Sequence, residues 1–283
     1  MTVQKEEEKT IWDKIGNLDY RFIYTLVAIL VFIPLVYPLG TPMTVGQNVK
    51  DYADTILSLP AGSVVLCKFS GYATMLPDIE PIYLATWKLL LSRDLKFMVQ
   101  LSDVDAPSII WMEFAKLKPF FDNYGKVYGT DYMVFPFLSY GEAAEMAFTE
   151  DIRSLFPADF YGYSLDDAVH LPMMQTIHSA HDIALLISSS TDYAVRRYLI
   201  PYGVKLIAWG TGTGLLPFVP PYYPNQISGY CGGASQGGEL EAYTGFYGDG
   251  VRYNDAKNLA LVGFFVFIIV GNLSYFGSKF KKG

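Results

Sequence analysis

The chain has 283 residues and a formal net charge of −7. Residues 40–258 hold 14 Lys and Arg against 23 Asp and Glu, a net of −9. This balance argues against nucleic acid as a partner, whose affinity comes from basic side chains on phosphates, and against a basic face docked on anionic lipid.

Residues 1–21 form a polar tail with Glu6, Glu7, Glu8, Lys5, Lys9, Lys14 and Arg21. The run from Phe22 to Leu39 carries no charge and is about as long as a helix must be to cross ~30 Å of hydrocarbon. The stretch before it is long and acidic, and Val36-Tyr37-Pro38-Leu39-Gly40 contains no small-x-small cleavage site. It therefore reads as a retained signal anchor, kinked at Pro34.

After a linker from Thr41, a helical stripe covers residues 48–57 and stops at Pro60-Ala61-Gly62. Apolar runs at 63–69, 95–101, 131–138, 182–188 and 204–209 read as strands, short and rich in β-branched or aromatic residues. Helical spacing fills the intervals at 78–93, 108–124, 141–156 and 191–201, with a less regular stretch from Asp167 to His181. A last helix is expected from Gly229 to Tyr243. A second uncharged run, Leu259 to Phe276, precedes a tail at 277–283 with Lys279, Lys281 and Lys282.

Continuous apolar strands alternating with amphipathic helices predict an α/β fold. The expectation is a single three-layer sandwich at 40–258 around a mostly parallel five-stranded sheet, ordered 3-2-1-4-5 or 2-1-3-4-5, flanked by transmembrane helices at 22–39 and 259–276. Seven basic residues flank the spans on the tail side, against Lys50, Arg252 and Lys257 on the other. Basic residues favour the cytoplasmic face, so both tails are expected inside and the domain extracytoplasmic, with the lipid bilayer as a partner. Spans account for part of the 51% hydrophobic content but not for 22 Tyr and 19 Phe. Those rings either fill a large core or cover an interface. Cys67 lies in an apolar run and reads as a buried small hydrophobe; whether it meets Cys231 is left open by the spacing.

In open parallel sheets, ligands sit beyond the carboxyl ends of the strands. This points to Ser70, Ser188, Ser189, Ser190, Thr191 and Thr211 as candidates for binding a small anionic ligand, a helix N-terminus after Ser190 supplying free N–H groups; ordinary capping is the plainer role. Gly210-Thr-Gly-Thr-Gly214 lacks both the Walker spacing with its Lys and the GxGxxG fingerprint, and reads as a turn. His178 and His181 share a helical face, with His170 nearby, but a metal needs three converging ligands, so neither metal nor cofactor is expected. No G-x-S-x-G elbow occurs, and the pairs Asp103/Asp105 and Glu239/Glu241 mean little without geometry.

Gly229, Gly233 and Gly237 recur every four residues and on a helix would form a bare ridge for close packing. In the second span Gly263 and Gly271 share a face with the polar Asn272 nearby, which predicts packing on the first span or on another subunit. Tyr223, Gln226, Gly229, Gly233, Gly237, Glu239 and Glu241, with the tract Tyr128-Gly129-Thr130-Asp131-Tyr132, resemble a family of two-span membrane proteins of unassigned function. The chain departs from it at Ser235-Gln236-Gly237-Gly238, where that family has Arg-Gly-Ala-Ala. The resemblance implies the α/β-plus-two-spans architecture and no activity. The expected function is a membrane-anchored, non-catalytic subunit that assembles as a homo-oligomer or with other membrane-protein subunits. The alternatives are a binding module for a small anion and a membrane-bound hydrolase or transferase.

Overall fold

The computed structural model describes residues 18–137, 141–189, 191–215, 219 and 221–280. Two compact units divide the chain: residues 43–251, and residues 1–42 together with 252–283.

The larger unit is an α/β domain. Its elements run α2 (Gln47–Leu57), β1 (Val64–Phe69), α3 (Leu76–Leu91), β2 (Lys96–Leu101), α4 (Ala106–Asn123), β3 (Tyr132–Val134), α5 (Glu142–Glu150), α6 (Ile152–Leu155), β4 (Leu185–Ser188), α7 (Thr191–Ala194), α8 (Ile200–Tyr202), β5 (Lys205–Gly210), α9 (Gly212–Leu215), β6 (Gly229–Gly232) and α10 (Gly233–Thr244). A π-helical turn, Val195–Leu199, joins α7 to α8. The sheet has six strands in the order β3-β2-β1-β4-β5-β6, and every neighbouring pair is parallel.

All six residues of β1 are buried, as a strand covered on both faces requires. Val65, Cys67 and Phe69 join a core built with α2, α3, α4 and α10. Val64 and Leu66 join a second core on the opposite face, which Phe148, Ile152, Phe156 and the 165–183 segment complete. Twelve of the aromatics are buried in these cores. Trp209 lies 5.4 Å from Trp87 and 4.5 Å from Tyr83, ring centre to ring centre, and Phe69 lies 4.7 Å from Tyr83.

Four expectations are corrected. The sheet has six strands, not five. The sixth, Gly-Tyr-Cys-Gly, occupies the start of the expected 229–243 helix, which begins instead at Gly233. The expected 141–156 helix breaks at Asp151, whose backbone is extended and whose side chain accepts from Arg153 N. Gly212–Leu215 is one helical turn rather than a plain turn.

The smaller unit contains α1 (Tyr20–Val36). The rest of it is drawn from α11, which runs from Asp249 to Phe280 and begins in the larger unit. Among the described residues one helix is long and apolar enough to cross a membrane, the stretch Asp249–Gly277 of α11; α1 is a shorter apolar helix. A Cβ on Gly263 would come within 2.7 Å of Leu30 Cδ1, so the glycine admits α1. Gly271 meets nothing within 4 Å, and Asn272 donates to Ile268 O of its own helix. The Asp255 carboxylate accepts from the backbone N–H groups of Leu39, Gly40 and Thr41 at 2.8–2.9 Å, and from the Thr41 hydroxyl.

Candidate functional site

Strand order reverses between β1 and β4: β2 and β3 lie on one side, β5 and β6 on the other. Loops leaving adjacent strands in opposite directions open a crevice there. A cavity of about 180 Å³ occupies it. Ser70 and Tyr72 line it from the loop after β1, Met75, Ile79 and Tyr83 from the helical segment that follows, Ser189 from β4's end, and Gly210, Thr211, Gly214 and Leu215 from β5 and α9.

Three of the six expected ligand-site residues, Ser70, Ser189 and Thr211, thus converge on one cavity. Ser188 does not line it; this residue is 3% exposed, the last of β4. Ser190 and the side chain of Thr191 lie outside the described residues.

The Ser70 hydroxyl donates to Asp103 Oδ2, just past β2. The same carboxylate pushes the Tyr72 phenol above the ordinary range. The Tyr83 hydroxyl donates to the Ser70 carbonyl; burial raises its pKa, with Asp103 and Glu113 adding to the rise. Thr211 Oγ1 accepts from Gly214 N at 3.0 Å. None of the described lining residues is Lys, Arg or His. Asp103 stands in the sequence at the carboxyl end of a strand and as half of a carboxylate pair; the pairing that matters is with Ser70, 33 positions away.

Positions suited to an anion are filled from within the domain. Asp78, in the first turn of α3, accepts from Gly212 N at 3.2 Å and from Ala234 N, at the start of α10, at 3.0 Å. Glu239 accepts from Gly46 N, the cap of α2, at 2.8 Å. Glu241, 1% exposed, accepts from Gly248, Gly250 and Val251 at the start of α11. A carboxylate among free N–H groups at a helix start is favourable there, and it occupies the place a bound anion would take.

A second polar cluster lies on the α5 face of the sheet. Lys68, next to last in β1, places Nζ 2.5 Å from Glu145 Oε1, and Tyr198 in the π-helical turn donates to Glu145 Oε2 at 2.9 Å. The ammonium stands 4.9 Å from the Tyr198 ring centre. Burial lowers the Lys68 pKa while Glu145 opposes the shift. Gln100, the register partner of Lys68 on β2, is fully buried, and neither polar atom of its amide has a partner among the described residues. Sequence reasoning missed this cluster. The available signal was a lysine inside a strand otherwise apolar throughout, Val-Val-Leu-Cys-Lys-Phe.

The other candidates have structural roles. His178 Nδ1 meets Arg153 Nη1 at 3.2 Å, His181 packs edge-on to Tyr202, and His170 bonds Asp167 and stacks on Tyr163 at 4.1 Å. No group of three or more possible metal ligands exists among the described residues.

Gly229, Gly233 and Gly237 form no single helical ridge. Gly229 lies in β6, where a Cβ would sit 2.2 Å from Tyr52 N of α2. Gly233 has φ +77° and leads into α10. Gly237 lies in the interior of the helix, where a Cβ would meet Pro81 Cβ at 2.7 Å. Tyr223 donates to Asp51 at 2.6 Å, which raises its pKa to about 12, while Gln226 is exposed. Cys67 on β1 and Cys231 on β6 are both buried and free. Two strands lie between theirs, roughly 14 Å at ~4.8 Å per strand, beyond disulfide reach.

No protein-family model matches the chain, and no curated protein matches it.

Proposed function

We propose that the chain is a membrane-anchored binding domain that takes a small molecule in the cleft between the ends of β1, β4 and β5. The carrying observation is the cavity at the topological switch point, with Ser70, Ser189 and Thr211 in its wall. Its volume lies below the range of drug-sized pockets, ~300–1,000 Å³, and suits a compact ligand.

The two apolar segments and the excess of basic residues beside them support two crossings with both tails cytoplasmic. The domain then faces the outside.

Assembly remains the second reading. Some of the features it first drew on are taken up inside the domain, since twelve of the rings are buried in the cores and the glycines admit α2 and α3. One surface still favours it: Tyr161, 56% exposed, packs against Trp111 and Phe160 at 5.4 and 5.7 Å. The Ser70–Asp103 pair has no histidine between its members and gives a hydrolase little to work with.

A fragment-library thermal-shift screen of the full chain in nanodiscs tests the binding reading. Hits that stabilise the wild type and fail on Ser189→Trp, which fills the cavity, support it. Hits indifferent to that substitution contradict it.

A further inference from the structure

The donor and acceptor roles around the cleft specify the charge of its ligand, provided that the cleft is a binding site. A hydroxyl has one proton to give and two sites that accept. Ser70 gives its proton to Asp103 Oδ2. The same carboxylate raises the Tyr72 pKa, so that phenol keeps its proton. Tyr83 donates to the Ser70 carbonyl. On this side the cleft therefore offers a ligand hydroxyl oxygens with their protons already engaged, backed by a negative charge.

Nothing in the described wall balances that charge, since no basic residue lines the cavity. The neighbouring backbone N–H groups of Gly212 and Ala234, which would otherwise hold an anion, already hold Asp78. The remaining wall joins alkyl groups of Met75, Ile79 and Leu215 to the hydroxyls of Ser189 and Thr211 and the backbone of Gly210 and Gly214, and the Tyr72 ring is a surface on which a cation sits favourably.

We propose that the cleft binds a small organic ammonium ion. Its N–H groups meet the Ser70 and Tyr72 oxygens in front of Asp103, and its carbon body lies on Met75, Ile79 and Leu215. This reverses the anionic ligand that the strand-end hydroxyls first suggest.

Three probes of matched size separate the possibilities: butylammonium chloride, 1-butanol and sodium butyrate. Each is titrated into the full chain in nanodiscs carrying [¹³C-methyl]methionine, with the Met75 methyl resonance, assigned by its loss in Met75→Leu, as the reporter. Butylammonium is expected to shift it saturably and about tenfold more tightly than butanol, with butyrate weakest, as charge-assisted bonds require. Asp103→Asn is expected to bring butylammonium level with butanol while the melting profile stays cooperative. Butyrate binding as tightly as butylammonium, or a preference unchanged in Asp103→Asn, overturns the proposal and leaves the cleft as a binding site. A Met75 methyl indifferent to all three probes overturns both. The wild-type ranking needs no variant to fold.

Discussion

Lys68 Nζ lies 2.5 Å from Glu145 Oε1, and the two side chains are 8% and 9% exposed. The pair joins the central strand to α5, and Tyr198 fixes the second carboxylate oxygen. Removing one partner leaves a buried charge uncompensated, at a cost of about 3–5 kcal/mol. Glu145→Ala is expected to destabilise the domain by that amount in denaturant melts. Lys68→Met with Glu145→Leu is expected to recover most of it, because two apolar side chains need no compensation. A double variant as unstable as Glu145→Ala would show that the pair is not what the cost reports.

Gly229 and Gly237 are predicted to resist any added side chain. A Cβ at Gly229 falls 2.2 Å from Tyr52 N, and one at Gly237 falls 3.0 Å from Ile82 N. Both contacts are with backbone, which shifts only by moving a helix. Alanine at either site should cost about 1–3 kcal/mol, as overpacking does. Gly125→Ala meets open space but has φ +62°, so its cost is conformational, about 1 kcal/mol. Thermal melts that rank Gly125→Ala as the most damaging of the three would contradict the packing assignment.

Stability should fall as pH rises through neutrality. Glu113 is fully buried and its pKa is raised to about 7 from 4.5, first by burial and then by Glu80, with Lys116 opposing. Its folded-state pKa lies above its unfolded value, so the native state binds the extra proton. The stabilisation is complete below about 4.5 and is lost as pH climbs through about 7. Glu113→Gln is expected to flatten that part of the stability profile. An unchanged slope in the variant would assign the dependence to another group.

Asp255 holds three consecutive backbone N–H groups, those of Leu39, Gly40 and Thr41. Asp255→Ala should leave them without this acceptor and speed their hydrogen exchange, read by mass spectrometry on the 37–43 segment. Asp255→Asn, which keeps one acceptor oxygen, is expected to fall between.

The sequence foretold the strands whose chemistry is uniform and missed what depends on distant partners. β1 through β5 are apolar runs flanked by helical spacing, and their positions follow from that alternation. β6 has two glycines in four residues; its glycine is there because α2 lies against it, a fact outside the local pattern. The four-residue glycine period fits a helix equally well, so three unrelated close approaches looked like one ridge. Ser70, Ser189 and Thr211 were reachable because a parallel sheet binds at its carboxyl ends whatever the motif. The pairings of Asp103 with Ser70 and of Glu145 with Lys68 were not, since the partners lie 33 and 77 positions apart.

The α/β domain is expected on the outer side of a membrane, its cleft open to external solutes. Cys67 and Cys231 are fully buried, so the natural thiols give little background to a membrane-impermeant maleimide. Ser102, exposed beside Asp103, replaced as Ser102→Cys is the reporter, with Thr2→Cys in the N-terminal tail as its counterpart. In intact cells the account predicts labelling of Ser102→Cys and none of Thr2→Cys until the membrane is permeabilised. Labelling of Thr2→Cys in intact cells with Ser102→Cys protected would place the domain on the opposite side and contradict it.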